Sequence, residues 1–361
     1  MNICLIGNGL TNLVLAKVLL NKNIKVDLYY KIKKHRFSTL RTIGISPNNL
    51  NFLQNIGLNF KKIGWPTTSI KIYNETEQNN ELLEFSHKKK INFFILKYKQ
   101  VNEFIYKKLK KNKNFSLRIS KNYLSILNKK KYDLIINSDS SGEIASNFFY
   151  KKIKKNYKSS AYTTIIEHNY LKNNIATQIF TKNGPIAFLP ISKNKTSVVY
   201  SIYEKSNLNQ IEKIKEMIHK YNKNYKIKKF DKFEKFDLKF SLSRNYFYKK
   251  ILNFGDSLHK IHPLAGQGFN MTLRDIRILS NIIDENLDLG FGLDTNVLEK
   301  FQKETKHLNF IFASGIDFIH EFFKIDNNLN NDYSKKIFKI LKKNRFFNKY
   351  SSNIADKGFP L

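Results

Sequence analysis

Two glycine-bearing stretches hold the residues best suited to chemistry. The first, Gly7-Asn8-Gly9-Leu10-Thr11-Asn12, lies between an apolar run and a helical pattern. Gly7 permits a tight turn, Gly9 lets the backbone approach a pyrophosphate, and the following helix N-terminus offers N–H groups and partial positive charge. The pattern is typical of dinucleotide binding, and its candidate contacts are Gly7, Gly9, Leu10, Thr11 and Asn12. A βα turn without a ligand is the alternative.

Two departures weaken this first motif. Asn12 occupies the third glycine position, and Tyr30 stands where an acidic residue would bind the ribose hydroxyls. The surrounding β-α-β pattern over residues 2–30 still favours a dinucleotide site.

The second stretch follows the apolar run Ile251–Phe254 and opens a helical pattern. It reads Gly255-Asp256-Ser257-Leu258-His259-Lys260-Ile261-His262-Pro263-Leu264-Ala265-Gly266-Gln267-Gly268-Phe269-Asn270. Its glycines allow close approach of the main chain to a ligand. Taken alone, Asp256 is more typical of a helix cap than of a ligand contact.

This stretch resembles the C-terminal flavin motif of flavoprotein monooxygenases related to para-hydroxybenzoate hydroxylase, and is most similar to that of the ubiquinone-biosynthesis hydroxylases. Asp275 matches the last aspartate of the family pattern, and Thr272 replaces an expected glycine. The resemblance implies FAD as cofactor, with Asp256 bonded to its ribityl chain. The other implied cofactor contacts in the stretch are Gly255, Pro263, Gly266, Gln267, Gly268, Phe269 and Asn270.

Weaker matches extend the resemblance along the chain. Arg41-Thr42-Ile43-Gly44-Ile45 is similar to the family's arginine segment near the flavin, although Arg41 also fits a surface arginine. Tyr132-Asp133-Leu134-Ile135-Ile136-Asn137-Ser138-Asp139 resembles the second fingerprint, in which Asp139 matches while Asn137 and Ser140 replace both glycines. Asp139 as a plain turn residue is the alternative.

The segment Gly184–Pro190 is similar to a strand of the family's substrate domain, which makes Phe188 and Pro190 substrate candidates; an ordinary core strand explains it equally well. His259 and His262 lack a nearby third ligand, so we predict no metal site. In the family this histidine pair belongs to the flavin loop. No catalytic acid or base can be named.

The element pattern predicts an α/β fold. The pattern indicates a β-α-β unit at the start, an antiparallel sheet in the middle and helices toward the C-terminal end. The resemblance implies that these are a Rossmann-like FAD-binding domain of the para-hydroxybenzoate hydroxylase type, an inserted antiparallel-sheet substrate domain and a helical C-terminal region. The predicted bounds are 1–65, 91–155 and 245–325 for the FAD-binding domain, 66–90 and 156–244 for the substrate domain, and 326–361 for the helical tail. We expect a helical pattern from Val297 with a break at Asp326–Asn331.

Composition limits the partners. The 361 residues carry a formal charge of +35, from 64 Lys and Arg against 29 Asp and Glu, spread along the chain. Codon bias, attraction to an anionic membrane and nucleic-acid binding all produce such a charge, and no nucleic-acid motif accompanies it. Cys4 is the only cysteine, and neither a signal peptide nor a membrane span is predicted, so we expect a cytoplasmic protein.

The resemblance implies hydroxylation of the aromatic ring of a polyprenylated phenol or quinone precursor in ubiquinone biosynthesis, with O2 and transiently bound NAD(P)H. A lipid-tailed substrate implies peripheral docking on the inner face of the cytoplasmic membrane, for which the basic segment Tyr333–Tyr350 is a candidate. The alternative is a non-catalytic scaffold of a quinone-biosynthesis complex, suggested by Asn12, Tyr30, Asn137 and Ser140. A flavin-dependent reductase or halogenase on the same fold ranks third, because a halogenase usually has a Trp-rich motif and Trp65 is the only tryptophan.

Overall fold

The structure, a computed structural model, describes residues 1–32, 40–75, 81–86, 93–206, 210–262 and 267–329. Its strands, numbered along the chain, are β1 (Asn2–Ile6), β2 (Lys25–Tyr30), β3 (Thr42–Ile45), β4 (Trp65–Thr67), β5 (Ser69–Asn74), β6 (Leu83–Ser86), β7 (Phe93–Lys97), β8 (Phe115–Ile119), β9 (Leu134–Asn137), β10 (Lys152–His168), β11 (Ile175–Thr181), β12 (Gly184–Pro190), β13 (Lys195–Tyr203), β14 (Ile227–Phe230), β15 (Glu234–Ser243), β16 (Phe247–Tyr248), β17 (Ile251–Asn253) and β18 (His259–Lys260). The helices are α1 (Leu10–Asn21), α2 (Pro47–Asn55), α3 (Tyr98–Leu109), α4 (Leu124–Leu127), α5 (Glu143–Phe148), α6 (Ile211–Tyr221), α7 (Gln267–Asp288) and α8 (Thr295–Leu329).

A parallel sheet forms the first layer, with the strand order β16-β17-β9-β1-β2-β8. All neighbouring pairs run parallel except β16 and β17. Strands buried on both faces have continuous apolar sequences, and in β1 every residue from Ile3 to Ile6 is fully buried. Residues of α1, α3 and α7 share one core cluster with β1 and β2. This layer is the predicted Rossmann-like fold.

The second sheet has the order β18-β15-β10-β13-β12-β11-β5-β6, with β14 beside β10, and only β5 and β11 in it pair in parallel. One face packs against α6, where Ile186 and Phe188 lie in one cluster with Ile214 and Ile218. The opposite face meets β3, since the hydroxyl of Thr42 donates a 3.0 Å hydrogen bond to Ser197 Oγ. The prediction of an inserted antiparallel sheet is therefore confirmed.

A small sheet of order β3-β7-β4 was not predicted from the sequence. Its strands have only four, five and three residues, too few for a period-two pattern to show. The positions of the domain boundaries remain predictions.

The helical region at the C-terminal end is confirmed. The break predicted over Asp326–Asn331 does not begin at Asp326, because α8 continues to Leu329; residues 330 and 331 lie outside the described residues. Asp and Asn favour caps and turns over helix interiors. Here, the amide of Asn74 donates a 3.1 Å hydrogen bond to the carboxylate of Asp326, and Phe323 stacks on Phe180 at 3.7 Å between ring centroids. These contacts outweigh the local preference. Tyr333–Tyr350 lies outside the described residues.

None of the helices in the described ranges combines the length and apolar character needed to cross a membrane.

Close backbone contacts join the carboxyl ends of β1, β9 and β17. A Cβ placed on Gly7, whose φ is +101°, would lie 3.0 Å from Ser138 Oγ. A Cβ placed on Gly255, whose φ is +55°, would lie 2.7 Å from Thr11 Cγ2. The two positions therefore require glycine for both conformation and space.

Two histidines are buried between α8 and the second sheet. His262 and His320 are each 1% exposed, with ring centroids 4.3 Å apart and the ring of Tyr157 beside both. Among the described residues, the ring nitrogens of His262 and His320 have no hydrogen-bond partner, and His320 Nδ1 lies 3.4 Å from a carboxylate oxygen of Glu321. Burial, aided by His320, holds the pKa of His262 well below its ordinary value, and burial also lowers the pKa of His320.

We expect Gly255→Ala to destabilise the protein by about 2–4 kcal/mol, from backbone strain and from the clash with Thr11. Gly290→Ala is the matched control: its φ is +76°, with nothing within 4 Å of the added Cβ, so strain alone should cost about 1 kcal/mol. Urea unfolding measures both. Adding Thr11→Ala to Gly255→Ala should recover part of the loss, and equal costs for the two glycine variants would refute the contact.

Acid should destabilise the protein through the buried histidines. A histidine whose pKa is lower in the folded state takes up its proton preferentially when unfolded. The free energy of unfolding should therefore fall as pH drops below about 6.5, by about 1.4 kcal/mol per pH unit for each such histidine. His262→Phe should flatten this dependence in urea titrations, while substitution of the exposed His219 by Gln should leave it unchanged. An unaltered slope in His262→Phe would contradict the assignment.

Candidate dinucleotide-binding site

The glycine turns of both sequence motifs lie at one edge of the parallel sheet. β1, β9 and β17 are neighbours, and each turn follows the carboxyl end of its strand. The Gly7–Ser138 and Gly255–Thr11 contacts bring residues 7–12, 138–139 and 255 together. Ligands of open α/β sheets bind outside the carboxyl ends of the strands, so this edge is the candidate site.

The N-terminus of α1 opens onto this edge. Gly9 is the N-cap in extended conformation, and as a glycine it has no side chain with which to cap the helix. The amide of Leu10 donates to the hydroxyl of Tyr98 at 3.4 Å, and helix geometry leaves the amides of Thr11 and Asn12 without intrahelical acceptors. Free N–H groups at a helix start suit a pyrophosphate.

Asn12, which replaces the third glycine, is fully buried inside the turn. Its side-chain amide donates to the carbonyl oxygens of Ile6 at 2.9 Å and Gly7 at 2.7 Å. The side chain points back toward β1 and fastens the turn, so the substitution does not fill the space in front of the helix.

Asn137 plays a similar part in the second turn. Its amide donates to Ser257 Oγ at 3.2 Å and to the carbonyl of Asp139 at 3.4 Å. Asp139 accepts hydrogen bonds from the amide of Ser141 at 3.0 Å and from its hydroxyl at 2.7 Å. These contacts fit a turn residue that shapes the edge of the site.

Arg41, Tyr98 and Asp256 form the charged side of the cleft. The guanidinium of Arg41 lies 5.2 Å from the ring centroid of Tyr98, whose hydroxyl faces the start of α1. Burial raises the pKa of Tyr98, with Arg41 acting against this and Asp256 adding to it. Tyr98 therefore keeps its hydroxyl proton while its oxygen accepts the bond from Leu10. The exposed carboxylate of Asp256 can accept a hydrogen bond from a ligand hydroxyl.

Asn270 ties the second motif to β3 and α2. Its amide donates to the carbonyl of Gly44 at 2.8 Å, and its side-chain oxygen accepts from the backbone amide of Ser46 at 3.1 Å and from the amide group of Asn49 at 2.9 Å. Gly268 and Phe269 lie in the first turns of α7 beside it, with Phe269 packed on the main core. Asn270 is thus placed to hold the Arg41 segment against the start of α7.

Three predicted contacts of the second motif fall wholly or partly outside the described residues. Pro263 and Gly266 lie outside the described residues, and of Gln267 only its position at the start of α7 is described.

The histidine at position 259 has a structural partner. His259 Nε2 lies 2.9 Å from the carboxylate of Asp275, which also pairs with Arg274 at 3.0 Å. Burial on its own would raise the pKa of Asp275, but Arg274 and His259 hold it below its ordinary value. This buried group anchors α7 to β18. Within the described ranges, no three His, Cys, Asp or Glu side chains are grouped to hold a metal ion.

The structure does not bring Phe188 and Pro190 to the cleft. Side chains alternate between the faces of a strand, and Phe188 packs in the cluster that includes α6. Leu189 pairs with Ser197 and Ala187 with Val199, on the face that meets β3. Leu189 and Ala187 are therefore the residues of β12 that face the cleft.

Tyr98 was missed by the sequence analysis. It follows a strand of the unpredicted small sheet and begins α3, and no motif distinguishes it among the 19 tyrosines of the chain. Its proximity to the first motif follows from tertiary packing alone.

The residues present fit a flavin dinucleotide. Three features lie at one sheet edge: the start of α1, the tightly packed glycine turns at Gly7 and Gly255, and the exposed carboxylate of Asp256. The helix start suits a bound pyrophosphate, and the carboxylate suits the hydroxyls of a ribityl chain.

No family model matches the chain. The 3-demethoxyubiquinol 3-hydroxylase of Escherichia coli is 30% identical over 158 residues, covering 42% of this chain and 40% of that protein. A mitochondrial ubiquinone biosynthesis monooxygenase of Caenorhabditis elegans is 22% identical over 224 residues, covering 50% of each chain. The matches thus span at most about half the length of these curated relatives.

Solved structures match over nearly the whole chain. p-Nitrophenol 4-monooxygenase from Pseudomonas putida has a TM-score of 0.79 at 12% identity, covering 98% of this chain and 97% of that one. A HpxO variant from Klebsiella pneumoniae, complexed with FAD, has a TM-score of 0.71 at 11% identity, covering 99% of both. The chain therefore has the fold of the FAD-dependent aromatic monooxygenases, and its sequence relatives are hydroxylases of ubiquinone biosynthesis.

Proposed function

We propose that the chain is an FAD-dependent monooxygenase that hydroxylates the aromatic ring of a polyprenylated phenol or quinone precursor in ubiquinone biosynthesis. The observation that supports this most is the contact of Thr11 with Gly255, which joins two distant motifs into one dinucleotide cleft. The similarity to ubiquinone-biosynthesis hydroxylases supports the substrate class.

The chain's own residues have separable tasks in this proposal. The amides at the start of α1 hold the pyrophosphate, and Asp256 accepts hydrogen bonds from the ribityl hydroxyls. Arg41 and Tyr98 close the side of the cleft. When bound, FAD supplies the electron transfer from NAD(P)H and the activation of O2.

The second sheet supplies the substrate surface. Leu189 and Ala187 offer apolar contacts to the ring and the start of the tail, and Val199 continues this face on β13. Burying the ring against this face would exclude water from the reacting atoms. NAD(P)H binds only transiently. The proposed partners are a membrane surface and a quinone-biosynthesis complex.

The test is to purify the full chain and titrate it with FAD. The proposal requires sub-micromolar binding, about −8 kcal/mol or better, and NAD(P)H oxidation that a prenylated phenol stimulates with formation of hydroxylated product. A protein that binds FAD this tightly but forms no product would favour the reductase alternative. A colourless protein that cannot be reconstituted would favour the scaffold.

Asp256→Ala should weaken FAD binding by about 10–100-fold, because a hydrogen-bonded charged group contributes about 1.5–3 kcal/mol. The flavin band near ~450 nm should then be lost on gel filtration while circular dichroism stays unchanged. Asp288→Ala removes an equally exposed carboxylate at the end of α7 and should retain the flavin. Full flavin content in Asp256→Ala would show that the ribityl assignment is wrong.

Leu189→Ala should raise KM for a prenylated phenol roughly tenfold, since a lost apolar contact in a binding pocket contributes about 1–3 kcal/mol. Phe188→Leu, one residue away on the opposite face, should lower the melting temperature and leave KM unchanged. Steady-state kinetics with both variants decide which face of β12 binds the substrate. If Phe188→Leu raises KM and Leu189→Ala does not, the substrate binds on the face of β12 that carries Phe188.

A further inference from the structure

A groove beside α8 lies apart from the candidate site. It has a volume of about 990 Å³ and is bordered by α8, β10, β15 and β16. Its apolar lining includes Ile153, Leu242, Phe247 and Phe310, of which Ile153 and Phe310 are 39% and 51% exposed. This surface therefore offers apolar area to a ligand.

The edge of the same groove is cationic. Arg244, Lys303, Lys306 and His307 line it, all of them exposed, against a single carboxylate, Glu299. Among the described residues, none forms an ion pair with Arg244, Lys303 or Lys306. Their charge is free for an anion outside the chain.

An exposed apolar face continues along α8 from this groove. Ile311, Phe318 and Ile325, at intervals of seven residues, are 46%, 70% and 55% exposed, and Ile319 is 42% exposed. Gly315 between them has nothing within 4 Å of an added Cβ. The two acidic residues of this stretch, Asp317 and Glu321, are both paired with Lys155. Contiguous apolar surface of this kind marks an interaction site.

Basic and apolar side chains share one side of the helix. Lys303, His307, Ile311, Phe318 and Ile325 follow at intervals of four, four, seven and seven residues, which places them on a common face. Such a face is typical of helices that lie in the interface of an anionic bilayer, with phosphates at the basic groups and apolar side chains in the acyl boundary.

We propose that this α8 face docks on an anionic lipid bilayer. The groove's basic residues contact headgroup phosphates, and Phe318, Ile319 and Ile325 insert at the boundary of the acyl chains. A nucleic acid would engage the cations and leave the apolar side chains exposed. The charge of +35 complements an anionic leaflet. The inference goes beyond the proposed hydroxylation, and its test involves no turnover, so either can fail alone.

The experiment is co-sedimentation of the full chain with vesicles of phosphatidylcholine, with and without phosphatidylglycerol. We expect binding to the anionic vesicles, weakened by salt. Phe318→Ser with Ile319→Ser should weaken it about thirtyfold, and Lys303→Glu with Lys306→Glu at least as much. The matched control is Leu289→Ser with Phe291→Ser, which removes apolar side chains that are 69% and 61% exposed near the start of α8, and should bind normally.

Tryptophan fluorescence is a second measurement of membrane docking, and it does not depend on whether the serine and glutamate variants fold. Phe318→Trp should show a blue shift with anionic vesicles, and Leu289→Trp should not. The proposal is overturned if the intact chain fails to bind anionic vesicles, or if the serine pair binds them like the wild type. It is equally overturned if the serine pair only converts an oligomer to a monomer in light scattering, which would make this face a contact between copies. Binding to RNA in place of vesicles, unaffected by the serine pair, would assign the charge to nucleic acid.

Discussion

The meeting of three strand ends at one sheet edge constrains the rest of the molecule. A Cβ on Gly7 would lie 3.0 Å from Ser138 Oγ, and a Cβ on Gly255 would lie 2.7 Å from Thr11 Cγ2, so both glycines are tightly packed. These contacts fix the start of α1 relative to the turn after β17, although about 245 residues separate them in the chain. The helix start consequently stays open in front of the sheet, and the candidate cleft is a result of backbone packing as much as of side-chain chemistry.

The sequence predicted this convergence because glycine is scarce, with 14 among 361 residues, and because both motifs follow apolar strand patterns. Parallel strands end at a common edge, so two such motifs in one sheet must approach each other. The small sheet of β3, β4 and β7 could not be predicted from its short strands. The position of Tyr98 depends on that sheet and was missed for the same reason.

The choice between the two faces of β12 shows a second limit of the sequence. The alternation of a strand separates Phe188 from Leu189, but both faces of β12 carry apolar residues. Periodicity alone therefore cannot decide which face meets α6 and which meets β3. Contacts between distant segments distinguish them: Phe188 packs with residues of α6, and Thr42 of β3 bonds to Ser197 on the other face.

The structure gives the asparagines at the glycine positions a different role from the one that the sequence suggested. From the sequence, Asn12 and Asn137 suggested erosion of the site and a scaffold without cofactor. Each of them instead donates hydrogen bonds within its own turn, and such local bonding is what makes Asn favourable in turns. Asn12 strengthens the turn whose backbone the ligand would meet, so the substitution is compatible with binding.

The long helix α8 links the two proposals physically. Its inner side is fixed to the second sheet by the stacking of Phe323 on Phe180 and by the bond between Asn74 and Asp326. Its outer side carries Phe318 and Ile325. A helix with its side chains is about 10 Å across. A bilayer held at the outer side would therefore lie about one helix diameter from the sheet that bears Leu189, a distance that a few units of the proposed polyprenyl tail could span.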